Sequence, residues 1–125
     1  MFVIIKRIVV FGCRDYKNYK EASQYIDFCI SNIKTEYKLV FVSGHCRGAD
    51  IIGERYAQER GYEVELYPAE WKKYGNCAGP IRNEKMSVIG DYFIGFWDSK
   101  STGTKSTIKY VLQNHKPLKI KIINT

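Results

Sequence analysis

Long apolar runs are missing from this sequence. Val3 to Ile5 and Ile8 to Phe11 are split by Lys6 and Arg7, far short of the about 20 apolar residues that cross a bilayer. No membrane partner is therefore expected. The opening Met1-Phe2-Val3-Ile4-Ile5-Lys6-Arg7 puts apolar residues ahead of the charges, the reverse of a secretory signal, so a cytoplasmic location is expected. Paired metal ligands are also missing. Cys13, Cys29, Cys46 and Cys77 form no C-x-x-C pair and the two histidines no H-x-x-x-H, which leaves no zinc spacing and favours four free thiols in a reducing compartment. Neither a Walker motif nor a complete G-x-G-x-x-G occurs, which excludes a P-loop NTPase and the standard dinucleotide fingerprint. No cofactor and no metal are expected. Low complexity is absent too: 45% hydrophobic and 26% charged residues belong to a chain that folds.

What is present is a chain of 125 residues, read as one domain over 1–125 and long enough for a core without disulfides. Its net charge is +7 and its pI near 9.2, which favours an anionic partner: a nucleotide, a nucleic acid or an acidic protein. Strand-like and helix-like segments alternate. Val3 to Phe11 reads as a buried strand stopped by Gly12, and Leu39 to Val42 as a second ending at Ser43-Gly44. Glu63 to Tyr67, Asp91 to Trp97 and Leu118 to Ile123 complete five. Between them, apolar spacing predicts helices from Tyr19 to Ile33, from Ala49 to Arg60, from Pro80 onward, and from Thr104 to Asn114. Strands joined by single helices are parallel, with helices on both faces. The fold class is α/β, a Rossmann-like, doubly wound, mainly parallel five-stranded sheet, and ligands in such sheets bind beyond the carboxyl ends of the strands.

The loops at that edge hold the unusual residues. The first reads Gly12-Cys13-Arg14-Asp15-Tyr16. The second, Ser43-Gly44-His45-Cys46-Arg47-Gly48-Ala49-Asp50, leads straight into a helix, where glycines let backbone N–H groups reach a phosphate and the helix N-terminus adds positive charge. Arg47 offers a bidentate contact to an anion; Asp50 is either the N-cap of that helix or a ligand contact. The third carries Trp71, which either stacks on a base or caps the core, and then Arg82 and Asn83 in the first turn of a helix. A cation is locally unfavourable there, so an anion is expected beside them, gripped by a solvated Arg82. The fourth, Ser99 to Thr104, is a second phosphate cradle in type.

Taken together, Gly12 to Tyr16, Gly44 to Asp50, Trp71-Lys72-Lys73-Tyr74-Gly75, Ala78-Gly79-Pro80-Ile81-Arg82-Asn83 and Gly103-Thr104 resemble the SLOG superfamily, and more narrowly its small standalone proteins related to YspA and YpsA. The resemblance covers Lys6 to Ile123. It implies a Rossmann-like fold that binds nucleotides or nucleotide-derived signals, NAD- and ADP-ribose-related ones among them. More distant relatives are the "lonely guy" phosphoribohydrolases and DNA-processing protein A. The phosphoribohydrolases carry R-K-x-x-M and then P-G-G-x-G-T-x-x-E. Here Arg82 and Met86 keep the first motif's ends and Gly103-Thr104 keep the G-T pair. Ser99, Lys100 and Ser101 replace the Pro and two Gly, and Thr107 stands where the catalytic Glu would be. Cleavage of an N-glycosidic bond needs a carboxylate, which Thr lacks, and nothing in the sequence places Asp15, Asp50 or Glu84 to replace it.

The sequence therefore reads as a domain that binds a phosphate-containing, nucleotide-derived ligand (ADP-ribose, an NAD-related molecule or a cyclic nucleotide) and senses or sequesters it without an effector domain. Gly12, Arg14, Gly44, Arg47, Gly48, Arg82, Gly103 and Thr104 would hold phosphate and ribose. Tyr16, Trp71 and Asn83 would meet the base, with Asp15, His45, Asp50, Met86, Ser101 and Thr102 completing the site. Hydrolysis of a nucleotide's N-glycosidic bond is the alternative. Binding of single-stranded nucleic acid is a third reading, suited to the +7 charge and ten tyrosines. A homodimer or higher homo-oligomer is expected through a helical face bearing Tyr19, Tyr56 and Tyr110.

Overall fold

The computed structural model describes residues 3–125; Met1 and Phe2, the start of the opening apolar stretch, lie outside them. Five strands, β1 (Ile5–Gly12), β2 (Lys38–Ser43), β3 (Glu63–Leu66), β4 (Tyr92–Trp97) and β5 (Leu118–Ile122), form one sheet in the order β3-β2-β1-β4-β5. Every pairing is parallel. The central β1 is buried from Ile8 to Phe11 without alternation, as a strand covered on both faces must be. The outer strands β3 and β5 alternate polar and apolar residues, and no residue in either is fully buried. β1 begins at Ile5 rather than Val3, because its register with β2 starts at the pair Ile5 and Lys38.

The helices are α1 (Tyr19–Ile30), α2 (Ala49–Glu59), α3 (Trp71–Tyr74), α4 (Ala78–Ile89) and α5 (Thr102–Gln113). α1 is capped by Asn18, whose side chain accepts the Glu21 N–H at 3.1 Å. It stops at Ile30 rather than Ile33: the Ser31 hydroxyl donates to the Phe28 carbonyl at 3.0 Å, and tight turns follow. Two helix starts and one added turn also differ from the sequence pattern. α3 is a single extra turn. α4 starts two residues before Pro80, which sits third in the helix, where a missing N–H is still harmless. α5 likewise starts at Thr102, two residues early.

Two cores flank the sheet. On one face α1 and α2 pack on Ile8, Val10, Phe41, Ile94 and Phe96; on the other α4 and α5 bring Met86 and Val111 onto Val9, Phe11, Val42 and Phe93. Phe96 is the pivot of the first core. Its ring stacks on Tyr16 at 5.1 Å between centroids and meets Tyr25 edge-on at 5.7 Å. The three tyrosines expected on one self-association face do not share one: Tyr19 and Tyr56 stand on the α1–α2 side of the sheet and the half-buried Tyr110 on α5, on the other. Tyr56 is buried with its hydroxyl on Asp27, and Tyr19 lies under the Arg55 guanidinium, donating to Glu59 at 2.8 Å. All four cysteines are unpaired, and among the described residues no helix is long and apolar enough to cross a membrane.

Replacing Phe96 by Ala removes the one ring that Tyr16 and Tyr25 both pack on. It should cost about 3–5 kcal/mol in urea unfolding with an unchanged m value. A loss under about 1 kcal/mol would show that the pocket collapses around the smaller side chain.

Candidate functional site

From β1 the chain steps outward to β2 and β3, then returns to the opposite side of β1 with β4 and β5. The carboxyl ends of β1 and β4 thus flank the point where the winding direction reverses, the place where such sheets bind ligands. A cleft of about 600 Å³ opens there. Gly12 and Cys13 line it at the end of β1, Arg47 and Asp50 contribute from the second loop, Trp71 from α3, and the first turns of α4 and α5 complete the walls.

Neither helix has an acidic residue in its first turn; at α4 the Ala78 N–H is taken by the Gly75 carbonyl and Pro80 has none to offer. The positive end of a helix dipole accepts an anion, and at α5 the Asp98 carboxylate just ahead of the helix already takes part of that place. At Gly103 an added Cβ would meet nothing within 4 Å, so the backbone there is open to an approaching group. Asp98 shapes the turn before α5: its carboxylate accepts the N–H groups of Lys100 and Ser101, both at 2.8 Å, and the Ser101 hydroxyl at 3.0 Å. The N–H groups of Ser101 and Lys100 hold this carboxyl down at about 2.

Two glycines fix the floor by close approach. A Cβ on Gly12 would collide with the Phe96 carbonyl, and one on Gly48, at φ +85°, with the carbonyls of Cys13 and Arg14. The first loop is therefore clamped between β4 and the start of α2. The Cys13 N–H donates to the Phe96 carbonyl at 3.0 Å, and the Ala49 N–H to the Cys13 carbonyl at 3.1 Å.

Arg82 ties the cleft together. It is 8% exposed. Its Nη1 donates to the carbonyls of Gly44 at 2.6 Å and Tyr67 at 3.5 Å, its Nε to Asn83 Oδ1 at 2.8 Å, and its Nη2 to Cys46 Sγ at 3.4 Å. Among the described residues no carboxylate forms an ion pair with it. Arg82 is fifth in α4 and buried, not a solvated side chain in the first turn: the two-residue earlier helix start moves it inward onto the second loop. Asp50 is likewise not the N-cap of α2, a position held by Gly48. It is buried at the cleft, and its Oδ2 accepts the Cys46 N–H at 3.3 Å. Burial pushes its carboxyl up to about 6; Glu54 adds to the rise, while the Cys46 N–H, Arg82 and Arg14 oppose it.

The cleft brings together Gly12, Arg14, Asp15, Arg47, Asp50, Trp71, Arg82, Asn83, Met86, Ser101, Thr102, Gly103 and Thr104. Four other expected residues lie outside it. Tyr16 is buried in the core, stacked on Phe96 and donating to Glu21 at 2.7 Å, so its ring is closed to a base. Gly44 and Gly48 stand behind the lining as spacers for Arg82 and for the first loop. His45, at φ +60°, turns its Nδ1 onto Glu54 at 2.9 Å, and Glu54 in turn accepts the Ser43 hydroxyl at 2.7 Å. Thr107 lines the cleft with its hydroxyl donating to the Gly103 carbonyl at 3.3 Å. Sequence reasoning gave no ligand role to Cys13, whose buried Sγ lines the cleft and accepts the Asp98 N–H at 3.3 Å. Its position directly after the strand-ending Gly12 was the available signal. It also missed the turn-forming Asp98, marked by an Asp three residues before a Ser at a helix start.

Comparison with known proteins agrees with this architecture. The model of the YspA, cpYpsA-related SLOG family matches residues 6–74. Gene 61 protein of Mycobacterium phage D29 is 31% identical over 112 residues, covering 84% of this chain and 87% of that protein. The X-ray structure of DNA processing protein A from Streptococcus pneumoniae superposes with a TM-score of 0.67 at 18% identity. That match covers 94% of this chain and 50% of the other, so the chain spans half the length of that solved structure.

Asp50 gives the site a pH signature. Its carboxyl ionises near 3.8 when unfolded and near 6 when folded, so the folded state holds the proton more tightly. The contribution is fully present below about pH 4 and lost as pH rises through 6; two units correspond to roughly 3 kcal/mol. Asp50→Asn keeps an acceptor for Cys46 and removes the decline. Urea unfolding between pH 4 and pH 7 should show the variant gaining on the parent as pH rises. A difference that does not change with pH would mean that the carboxyl ionises as in water.

Proposed function

The chain belongs to the YspA, cpYpsA-related SLOG family, and on that premise we propose that it binds a phosphate-containing, nucleotide-derived ligand in the cleft between β1 and β4, sensing or sequestering it in the cytoplasm as one nucleotide-binding domain. The observation that carries this reading is electrostatic. A buried guanidinium without a carboxylate partner and two helix N-termini without first-turn acids converge on one cleft. Phosphate is the group that satisfies all three: it takes charge-assisted hydrogen bonds from arginine and backbone N–H donors alike.

In this reading the first turn of α5, Thr102 to Thr104, holds phosphate, with Arg47 and Arg14 closing over it from the opposite rim. Trp71, half exposed and set against Gly79, stacks on the base, and Asn83 offers its amide to the base edge. ADP-ribose, NAD-related molecules and cyclic nucleotides fit these requirements. The Thr107 hydroxyl, already spent on a backbone carbonyl, supplies no charge to an oxocarbenium-like centre, which favours binding over cleavage. Asp50 supports the second reading, N-glycosidic hydrolysis, because a carboxyl raised toward neutrality at a cleft is suited to proton transfer. Homo-oligomerisation belongs to the same proposal through the family alone, and light scattering showing a monomer at high micromolar concentration would end it.

A nucleotide panel tests the proposal by thermal shift. A ligand at 100 times its Kd adds about 2.7 kcal/mol, a rise of several degrees in Tm; a panel of ADP-ribose, NAD and cyclic nucleotides giving no shift would sink it. Incubation with AMP should release no free adenine, and release above background would transfer the assignment to hydrolysis. Arg47 is exposed, with a single long contact to Asp15 at 3.5 Å. Arg47→Ala should therefore leave stability within about 0.5 kcal/mol and weaken the ligand about tenfold, read by calorimetry. Arg82→Ala should lose both, because it breaks the hydrogen bonds that hold the second loop.

A further inference from the structure

A second surface lies away from the cleft, between α1 and β5. Lys119 and Lys121 of β5 are in register with Ile94 and Phe96, whose side chains belong to the core on the α1 side. Both lysines therefore stand on that face, about 6.7 Å apart along the strand. Beside them α1 presents two rings one turn apart, Tyr25 and Phe28, with centroids 6.4 Å from each other. Phe28 is 67% exposed. Lys119 reaches to 5.2 Å from the Phe28 centroid and Lys121 to 5.4 Å from that of Tyr25. A groove of about 460 Å³ runs along α1 beside them, with Lys20 on its rim. Its one acidic residue, Glu21, already accepts the Tyr16 hydroxyl.

We propose that this groove binds single-stranded nucleic acid, with bases on Tyr25 and Phe28 and phosphates on Lys20, Lys119 and Lys121. Rings alternating with cations are the recurring construction of surfaces that hold an unpaired strand without reading its sequence. A lysine over an exposed ring is held weakly, whereas a base stacks on the same ring more strongly. An arriving strand therefore exchanges one for the other and gives each freed ammonium a phosphate. The charge balance selects an anionic occupant, and the two flat rings select one with stacked planar groups over an acidic peptide. The surface is independent of the ligand cleft.

The test is fluorescence anisotropy of the full chain with a labelled oligothymidylate of about fifteen nucleotides, titrated at several salt concentrations. Binding is expected, weakening with salt. Phe28→Ala, at a solvent-facing position, should weaken it several-fold with an unchanged melting curve. Joint replacement Lys119→Gln and Lys121→Gln should reduce the slope of log K against log salt by about 1.4, since each phosphate contact contributes about 0.7. Excess AMP and ADP-ribose should not displace the strand. No binding at low salt would overturn the proposal. So would binding that mononucleotides displace and that ignores all three replacements, which puts the strand in the cleft. Polyglutamate competing as well as the oligonucleotide, with Phe28→Ala silent, would equally overturn it by showing charge attraction alone.

Discussion

The cleft depends on one buried cation. Arg82 leaves α4, crosses beneath the second loop and bonds carbonyls from two different strand ends, Gly44 after β2 and Tyr67 after β3. An ionised group in a low-dielectric interior is stable only when its donors are occupied, so the guanidinium dictates where those carbonyls point. Glycine at 44 gives these groups room: a Cβ there would lie 2.7 Å from Nη1 and 2.8 Å from Asp50 Oδ2, and both side-chain ends would have to shift to admit it. Asp50 is present as a carboxyl near the cation but not bonded to it. Asp50 balances part of that charge once it ionises near pH 6, and the cleft opens beside two helix starts without first-turn acids.

Much of this was legible in the sequence. Apolar runs over Ile8 to Phe11 and Leu39 to Val42 announce strands covered on both faces, and the alternation at Glu63 to Leu66 and Leu118 to Ile122 announces edges. The loops were found because glycine and arginine at strand ends need a reason to be there. Four expectations failed for one physical cause, which is that composition does not report direction. Tyr16 follows the glycine loop yet turns into the core, and His45 turns away onto Glu54. Tyr56 looked like part of an exposed stripe but its ring is buried. Arg82 looked solvated because the helix start was placed at Pro80, and a shift of two residues rotates a side chain by more than half a turn at 3.6 residues per turn.

The α5 wall of the cleft carries hydroxyls and no carboxylate: Thr107 lines it with its hydroxyl on the Gly103 carbonyl. A wall of this kind offers an anion many small contacts and no strong base.

The clamped first loop has a kinetic consequence. The Cys13 N–H is bonded to β4 and the Cys13 carbonyl to α2, so freeing either requires the sheet edge and the helix start to part together. Those amides should exchange with solvent only on openings that approach global unfolding. The opposite wall is built differently. α3 is one turn long with no buried residue, and the turn after it, Gly75 to Cys77, is exposed throughout. Openings there cost little, so the Trp71 wall can part from the cleft on a timescale decoupled from the lifetime of the fold.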